Sequence, residues 1–281
     1  MTTPGLNVYQ LKRSKNVKHY SNILHAANDP TLMRLFALDY FDSVLLTGDY
    51  QAKDIRYLEK QRGINQKELV TVGCAYLDTL KTKIDSIDVE KKNFTVLVSP
   101  SWGKSGLLTK YGEKLLTPLV ETGWDIIIRP HPQSKKSENQ MLLDLQKKYR
   151  DCKNVSWDFE RDNIYSMKKS DIMITDFSGI IYDYTFLCDK PFMYTAYDID
   201  LMPYDAWDLE DNGKNIWQYK VLKEIGVELK EDDFSNIKEK IASLSNNKDI
   251  EAARLKAKNE GWMYRGKAAE KTVDYMINKI Q

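Results

Sequence analysis

Four short segments carry side chains able to handle a phosphate group or a proton. The first is Arg129-Pro130-His131-Pro132, which follows the apolar run Asp125-Ile126-Ile127-Ile128. A guanidinium offers a planar fork of donors matched to phosphate oxygens, and an imidazole N–H adds another. Prolines on both sides of His131 stiffen that loop. The second is Ser170-Asp171-Ile172-Met173-Ile174-Thr175-Asp176-Phe177-Ser178-Gly179, an apolar strand passing directly into a helix. Ser178 is the expected N-cap, and Gly179 lets a ligand approach the backbone. The unpaired N–H groups and the positive end of the helix dipole would favour an anion there. The third is Ser99-Pro100-Ser101-Trp102-Gly103-Lys104-Ser105-Gly106. Ser101, Lys104 and Ser105 suit phosphate, although the GxxxxGK[ST] spacing is absent. A capped helix without a ligand explains the second segment as well as an anion site does, and a flexible polar loop explains the third.

The fourth segment concerns proton transfer. The chain has only three histidines, His19, His25 and His131. His19, between Lys18 and Tyr20, reads as an ordinary surface residue. His25 lies in Leu24-His25-Ala26-Ala27, where small neighbours leave room for a substrate. An imidazole titrates near neutrality and suits a general base acting on a hydroxyl, although a lone histidine is more often structural. Towards the end, Tyr264-Arg265-Gly266-Lys267 sets Arg265 and Lys267 at a helix start. Lys12, Arg13, Lys15 and Lys18 form a basic run suited to acidic lipid or polymer, though such runs are commonly just exposed.

The elements that must position these groups follow from hydrophobic patterning. Short apolar runs at 43–47, 69–73, 94–98, 124–128, 154–157, 172–175 and 192–194 read as strands. Amphipathic stretches at about 49–59, from 106 to 121, 138–149, 163–168 and 178–187 read as helices. Strands alternating with helices predict a parallel sheet covered on both faces, with ligands beyond the carboxyl ends of its strands. The charged run 81–92 reads as a linker, 197–232 as irregular, and 233 onwards as mostly helical with breaks near Gly261 and Gly266. The expected division is a partial α/β domain over residues 1–85 and a complete Rossmann-like domain over 86–281. The first residues read like the middle of a domain, so the first strands of the N-terminal domain are expected to be missing.

Composition narrows the classes. With 281 residues, 42% hydrophobic and 30% charged, the chain is expected to be globular. A net charge of +1 argues against broad nucleic-acid binding. Cys74, Cys152 and Cys188 are scattered, with neither a CxxC pair nor metal-ligand spacing, which suits a reducing cytoplasm. No metal and no other cofactor is expected. Neither an export signal nor a run of about 18 apolar residues is seen, so any membrane association would be peripheral, at the inner face.

Together, RPHP after a strand and SDIMITDFSGIIYDYTFLCDKPFMY resemble the CDP-glycerol glycerophosphotransferase family, the teichoic-acid polymerases and primases. Asp183 and Lys190-Pro191 fill the later positions of that motif, and RGKAAEKTVDYMI is similar to the family's ending. The match is specific over Phe94–Tyr194. The resemblance implies a GT-B architecture, two Rossmann-like domains with the active site between them. It also implies transfer of glycerol phosphate from CDP-glycerol to a hydroxyl of a polymer or lipid-linked acceptor, releasing CMP. His25 stands for the family's basic histidine, with Ala26-Ala27 in place of its Gly-Thr. The donor diphosphate falls to Arg129, His131, Ser178, Asp176, Ser101 and Lys104, with Gly179, Asp183, Arg265 and Lys267 as further candidates. Arg265 replaces the aspartate usual in the ending. Two other readings stay open, a GT-B glycosyltransferase using a nucleotide sugar and an inactive nucleotide-binding fragment.

Overall fold

A computed structural model describes residues 5–9, 11–196, 199–244 and 247–280. The chain divides into two compact units. Unit 1 takes Met1–Leu80, Asp200–Leu222 and Leu255–Gln281, and unit 2 takes Lys81–Ile199 and Lys223–Arg254.

Unit 1 is built on a parallel sheet of β1 (Ser21–Ile23), β2 (Ser43–Leu46) and β3 (Glu68–Thr71), in that order. Strand β2 is buried along its whole length, as a central parallel strand must be when both faces are covered. Helix α1 (Tyr50–Arg62) follows it and buries Gln51, Ile55, Leu58 and Glu59, a stripe at helical spacing. Gly63 closes α1 in the left-handed region at φ 61°. Leu24, Leu38, Phe41, Val44, Leu46 and Ile55 form one core cluster. Helix α2 (Ala75–Ser86) starts in this unit, and the linker expected at 81–92 is therefore helical in its first half. The reason is apolar spacing that carries on into the charged run: Leu77, Leu80 and Ile84 fall on one buried face.

Unit 2 holds a six-stranded sheet in the order β6-β5-β4-β7-β8-β9, with every pairing parallel. The strands are β4 (Thr95–Val98), β5 (Asp125–Ile128), β6 (Val155–Trp157), β7 (Ile172–Thr175), β8 (Phe192–Tyr194) and β9 (Val227–Glu228). The helices are α3 (Leu107–Glu121), α4 (Ser134–Ser137), α5 (Asn139–Lys148), α6 (Ile164–Lys169) and α7 (Ile180–Cys188). Numbered within the sheet, this order is 3-2-1-4-5-6, the doubly wound order whose ligand crevice opens where the winding reverses. Here the reversal lies between β4 and β7. Strands β4 and β7 are buried throughout, and Val96, Val98, Ile126, Ile128, Ile172 and Ile174 pack against Leu107, Leu115, Leu116 and Leu145. Helix α3 is kinked at Gly112, whose φ 40° and ψ −116° are not helical.

Four further helices are α8 (Trp217–Ile225), α9 (Ile237–Ala242), α10 (Lys248–Gly261) and α11 (Ala268–Ile280). The stretch expected to be irregular over 197–232 supplies α8 and the edge strand β9. A two-residue strand carries too little periodicity to be read in advance. The structure also divides the chain differently from the expected boundary at 85/86, because the later segments return to unit 1. Asp205 accepts the Phe36 N–H at 2.7 Å, and Asp78 accepts the Gly266 N–H at 2.8 Å and the Ala268 N–H at 3.1 Å. Tyr275 packs with Leu45 and Val72. These contacts span 169 to 230 residues of sequence, beyond any local pattern.

Candidate functional site

In unit 2 the loop after β4, the loop after β5 and the start of α7 all stand at carboxyl ends of strands, around the β4–β7 reversal. Asp176 organises them. It is fully buried one residue beyond β7 and accepts from the Ser101 N–H at 3.0 Å and the Ser101 hydroxyl at 2.7 Å. It also accepts from the Leu107 N–H at 2.9 Å and the Ser178 N–H at 3.1 Å. Burial pushes its carboxyl above the usual range, opposed by those hydrogen bonds. A buried carboxylate repels a diphosphate, so Asp176, expected among the diphosphate ligands, instead fastens the β4–α3 loop. Asp171 does the same at the other end of β7, accepting the Thr95 N–H at 2.8 Å. The two aspartates of the SDIMITDFS motif thus clamp both ends of β4 to β7.

His131 is half-buried. The Gln133 N–H donates to its Nδ1 at 3.1 Å, which makes Nδ1 an acceptor and leaves the proton on Nε2. Burial lowers its pKa while Glu138 and Asp176 raise it, with burial prevailing. A neutral ring with an Nε2–H donor results. Arg129 is differently placed from expectation. Its guanidinium pairs with Asp158 at 2.6 Å and donates to the carbonyls of Glu160 at 2.8 Å and Arg161 at 3.3 Å. The fork expected to face phosphate is engaged by the protein and buttresses the chain beyond β6.

Helix α7 begins at Ile180 with Gly179 at the N-cap and no side-chain cap, so Ser178 is not the capping residue expected. Ser178 lies one position earlier because its N–H is drawn to Asp176. Among the described residues, the Gly179 and Ile180 N–H groups have no hydrogen-bond acceptor, and a helix start in that state attracts anions. Lys104 is exposed at the tip of the β4–α3 loop, and Asp183 is half-buried in the first turn of α7. Two residues escaped the sequence reading. Glu138 accepts the Gly103 N–H at 3.1 Å through Oε1 and pulls on His131 electrostatically. Trp102 is 48% exposed with its ring 6.3 Å from that of His131. The proline-flanked histidine and the glycine of that loop were visible, but nothing in the spacing links Glu138 to them.

In unit 1, His25 lies two residues past β1 with its side chain exposed. Its loop is held by the backbone. Cys74 Sγ donates to the His25 carbonyl at 3.5 Å, Tyr50 Oη to Ala27 at 2.7 Å and Gln51 Nε2 to Asn28 at 3.0 Å. The Asp29 N–H donates to Gln218 Oε1 at 3.0 Å. His25, Asn28, Asp29 and Met33 border a depression of about 230 Å³. Asp29, also missed in the sequence, is buried there with a pKa raised to about 6, chiefly by desolvation and against hydrogen bonds from Thr31. Arg265 and Lys267 belong to this unit as well, exposed in the turn before α11. Arg265 donates to the Trp262 carbonyl at 3.1 Å and to Asn259. The N–H groups at that helix start already go to Asp78.

Among the described residues, no cluster of three or more His, Cys, Asp or Glu is placed to hold a metal. No helix among them is long and apolar enough to cross a membrane. No disulfide joins Cys74, Cys152 and Cys188.

The sheet order and the donors gathered at its reversal define a Rossmann-like domain within a GT-B-like α/β fold. The wall teichoic acid polymerase TagF shares the fold with a TM-score of 0.56 at 14% identity, over 96% of this chain and 69% of that one. A variant of that polymerase soaked with CDPG aligns with a TM-score of 0.50 at 16% identity, over 86% and 58%. A protein described as a UDP-N-acetylglucosamine 2-epimerase from Listeria monocytogenes aligns at 0.55 with 12% identity, over 85% and 60%. No curated protein matches the sequence. Over residues 47–208 the sequence matches the family described as CDP-Glycerol:Poly(glycerophosphate) glycerophosphotransferase, and the chain belongs to it.

Proposed function

We propose that this protein transfers glycerol phosphate, or a related polyol phosphate, from CDP-glycerol to a hydroxyl of a cell-envelope polymer or lipid-linked acceptor. The observation that carries the reading is the donor set at the β4–β7 reversal, found in a member of this family. The Gly179 and Ile180 N–H groups, the His131 Nε2–H and the Lys104 ammonium are donors suited to a diphosphate. Trp102 offers an exposed ring for the nucleoside. Ser101, Asp176 and Arg129 act behind this set as positioning residues, and Asp183 lies beside it in the first turn of α7.

In the proposed reaction His25 takes the proton of the acceptor hydroxyl. The acceptor oxygen then bonds to the β-phosphorus as the bridging oxygen leaves with CMP. Donors that meet the growing charge on the departing phosphate stabilise this step. The test is CMP release from CDP-glycerol with a glycerol-phosphate primer, run beside UDP- and CMP-sugars. Release with CDP-glycerol alone supports the reading. Turnover of a nucleotide sugar instead makes the protein a glycosyltransferase, and donor binding without release under any acceptor makes it a binding protein.

We also assign the protein to the cytoplasmic face of the membrane, held peripherally. The exposed side chains Tyr9, Leu11, Val17, Phe36 and Tyr40 lie among exposed Lys12, Lys15 and Lys18. Tyr9 Oη donates to the Leu35 carbonyl and Arg13 to that of Tyr40, which joins the two stretches into one surface. Aromatic rings beside lysines suit an anionic bilayer interface. Co-sedimentation with vesicles containing anionic lipid is expected, and its absence at low salt removes this assignment.

A further inference from the structure

At the amino-terminal edge of the unit 2 sheet lies an enclosure away from the donor loops. A cavity of about 230 Å³ is bordered by Asp189, Phe192, Ile225, Asn247, Glu251 and Arg254, among others. Phe192 opens β8, so the cavity stands at the opposite strand ends from Ser101, His131 and Gly179. Arg254 borders it with only 9% of its surface exposed. Among the described residues its guanidinium makes no hydrogen bond and no ion pair, although an arginine stays protonated and burying it unpaired is costly.

Its neighbours sharpen the question. Glu251 sits three positions earlier on α10, where side chains share a face with Cβ atoms about 5–6 Å apart. The two nevertheless form no ion pair among the described residues. Asp189 closes α7 in the left-handed region at φ 55°. Both carboxylates act on Arg254 electrostatically. A simple anion would meet these carboxylates, and a simple cation would meet the guanidinium. A molecule carrying both charges on neighbouring atoms satisfies both, and the half-buried apolar wall of Val227 and Ile250 takes an apolar body.

We propose that this cavity binds a small zwitterion, an α-amino acid with an apolar side chain. Its carboxylate pairs with the Arg254 fork, its ammonium lies between Asp189 and Glu251, and its side chain rests on Val227 and Ile250, which border the cavity and are only half-buried. The site is independent of the donor site and of the reaction proposed above. Titration calorimetry on the full chain tests it with leucine, valine and phenylalanine, and with isovalerate and isoamylamine as analogues lacking one charge. At least one amino acid is expected to bind, with both analogues at least about tenfold weaker. Arg254→Gln and Glu251→Gln are each expected to weaken binding by a similar factor, and His131→Ala to leave it unchanged. The analogues probe the wild-type protein, so the test stands even where Arg254→Gln fails to fold. No binding of any of the three amino acids at millimolar concentration overturns the proposal, and so does isovalerate or isoamylamine binding as tightly as the amino acid.

Discussion

The two loops that carry the candidate chemistry are fixed in opposite ways. In unit 2 the β4–α3 loop is held by its N–H groups: those of Ser101 and Leu107, with the Ser101 hydroxyl, converge across the β4–β7 reversal on the buried Asp176 carboxylate, and that of Gly103 goes to Glu138. In unit 1 the His25 loop is held mainly by its carbonyls, which accept from Cys74, Tyr50 and Gln51. One arrangement depends on acidic acceptors, chiefly Asp176, the other on several neutral donors. A loop gathered on carboxylates is fixed before a donor arrives, leaving its exposed lysine and the nearby helix start and imidazole as the groups proposed to meet phosphate. A loop pinned through its backbone leaves the histidine ring exposed, free to approach a hydroxyl.

The largest effects should come from removing the buried charges that organise each unit. Asp176→Ala leaves its donors without their acceptor and is expected to cost about 3–5 kcal/mol. The unit 1 counterpart is Arg62, which is nearly buried and pairs with Asp39 at 2.7 Å, Asp205 at 2.6 Å and Asp208 at 2.7 Å. Arg62→Ala strands those carboxylates and is expected to cost about 3–5 kcal/mol as well. Hydrogen exchange separates the two. Asp176→Ala should deprotect 99–107 and 176–182, and Arg62→Ala should deprotect 33–41 and 203–209. Deprotection of the same segments in both variants would break the comparison.

The next effects divide binding from turnover. His131→Ala removes a donor suited to a charged oxygen, and the donor Kd is expected to rise about 10- to 100-fold. His25→Ala is expected to lower kcat by about 10²- to 10⁴-fold with the donor Kd unchanged. Calorimetry and CMP release measure the two separately. Unchanged turnover in His25→Ala removes that residue from the mechanism, and unchanged donor binding in His131→Ala removes His131 from the donor set.

How much of this was legible in the sequence follows from the distances involved. Apolar runs such as Ile172–Thr175 and Phe192–Tyr194 announce strands because both faces of a parallel sheet are buried, and the structure places them at the same residues. The loops carrying His131 and Ser178 follow from those strands, since the chain must turn at their ends. What each side chain meets there is a matter of long-range pairing. Asp176 reads as a ligand until the Ser101 N–H, 75 residues away, is found on it. Arg129 reads as a phosphate fork until Asp158 is brought beside it by the β5–β6 pairing. Gln218 holding Asp29, 189 residues apart, has no local signal at all.

The smaller predictions sharpen the contrast through pH and salt. Asp29 holds its proton up to a pKa of about 6, against an ordinary value of 3.8. The folded chain therefore binds this proton more tightly than the unfolded chain. Its contribution to stability is fully present below about pH 4 and is lost as the pH rises to about 6. Asp29→Asn should flatten that slope, so that the variant gains on wild type by roughly 2 kcal/mol between pH 4 and 6. Melting temperatures across that range measure it, and parallel curves for the two proteins would show that Asp29 ionises as readily in the fold as in water.

Lys104 is the opposite case, an exposed ammonium whose attraction for a diphosphate is screened by solvent and salt. Lys104→Ala should leave the melting temperature unchanged and raise the donor Kd only about threefold at low ionic strength. The loop tip is held from below, through Ser101 and Leu107 on Asp176, so losing its lysine removes charge without loosening backbone. The difference in Kd should shrink towards nothing near 1 M salt, where the Debye length is about 3 Å. A salt-independent loss would mean that Lys104 makes a buried, directional bond to the donor, and that the loop closes over the ligand rather than standing ready beneath it.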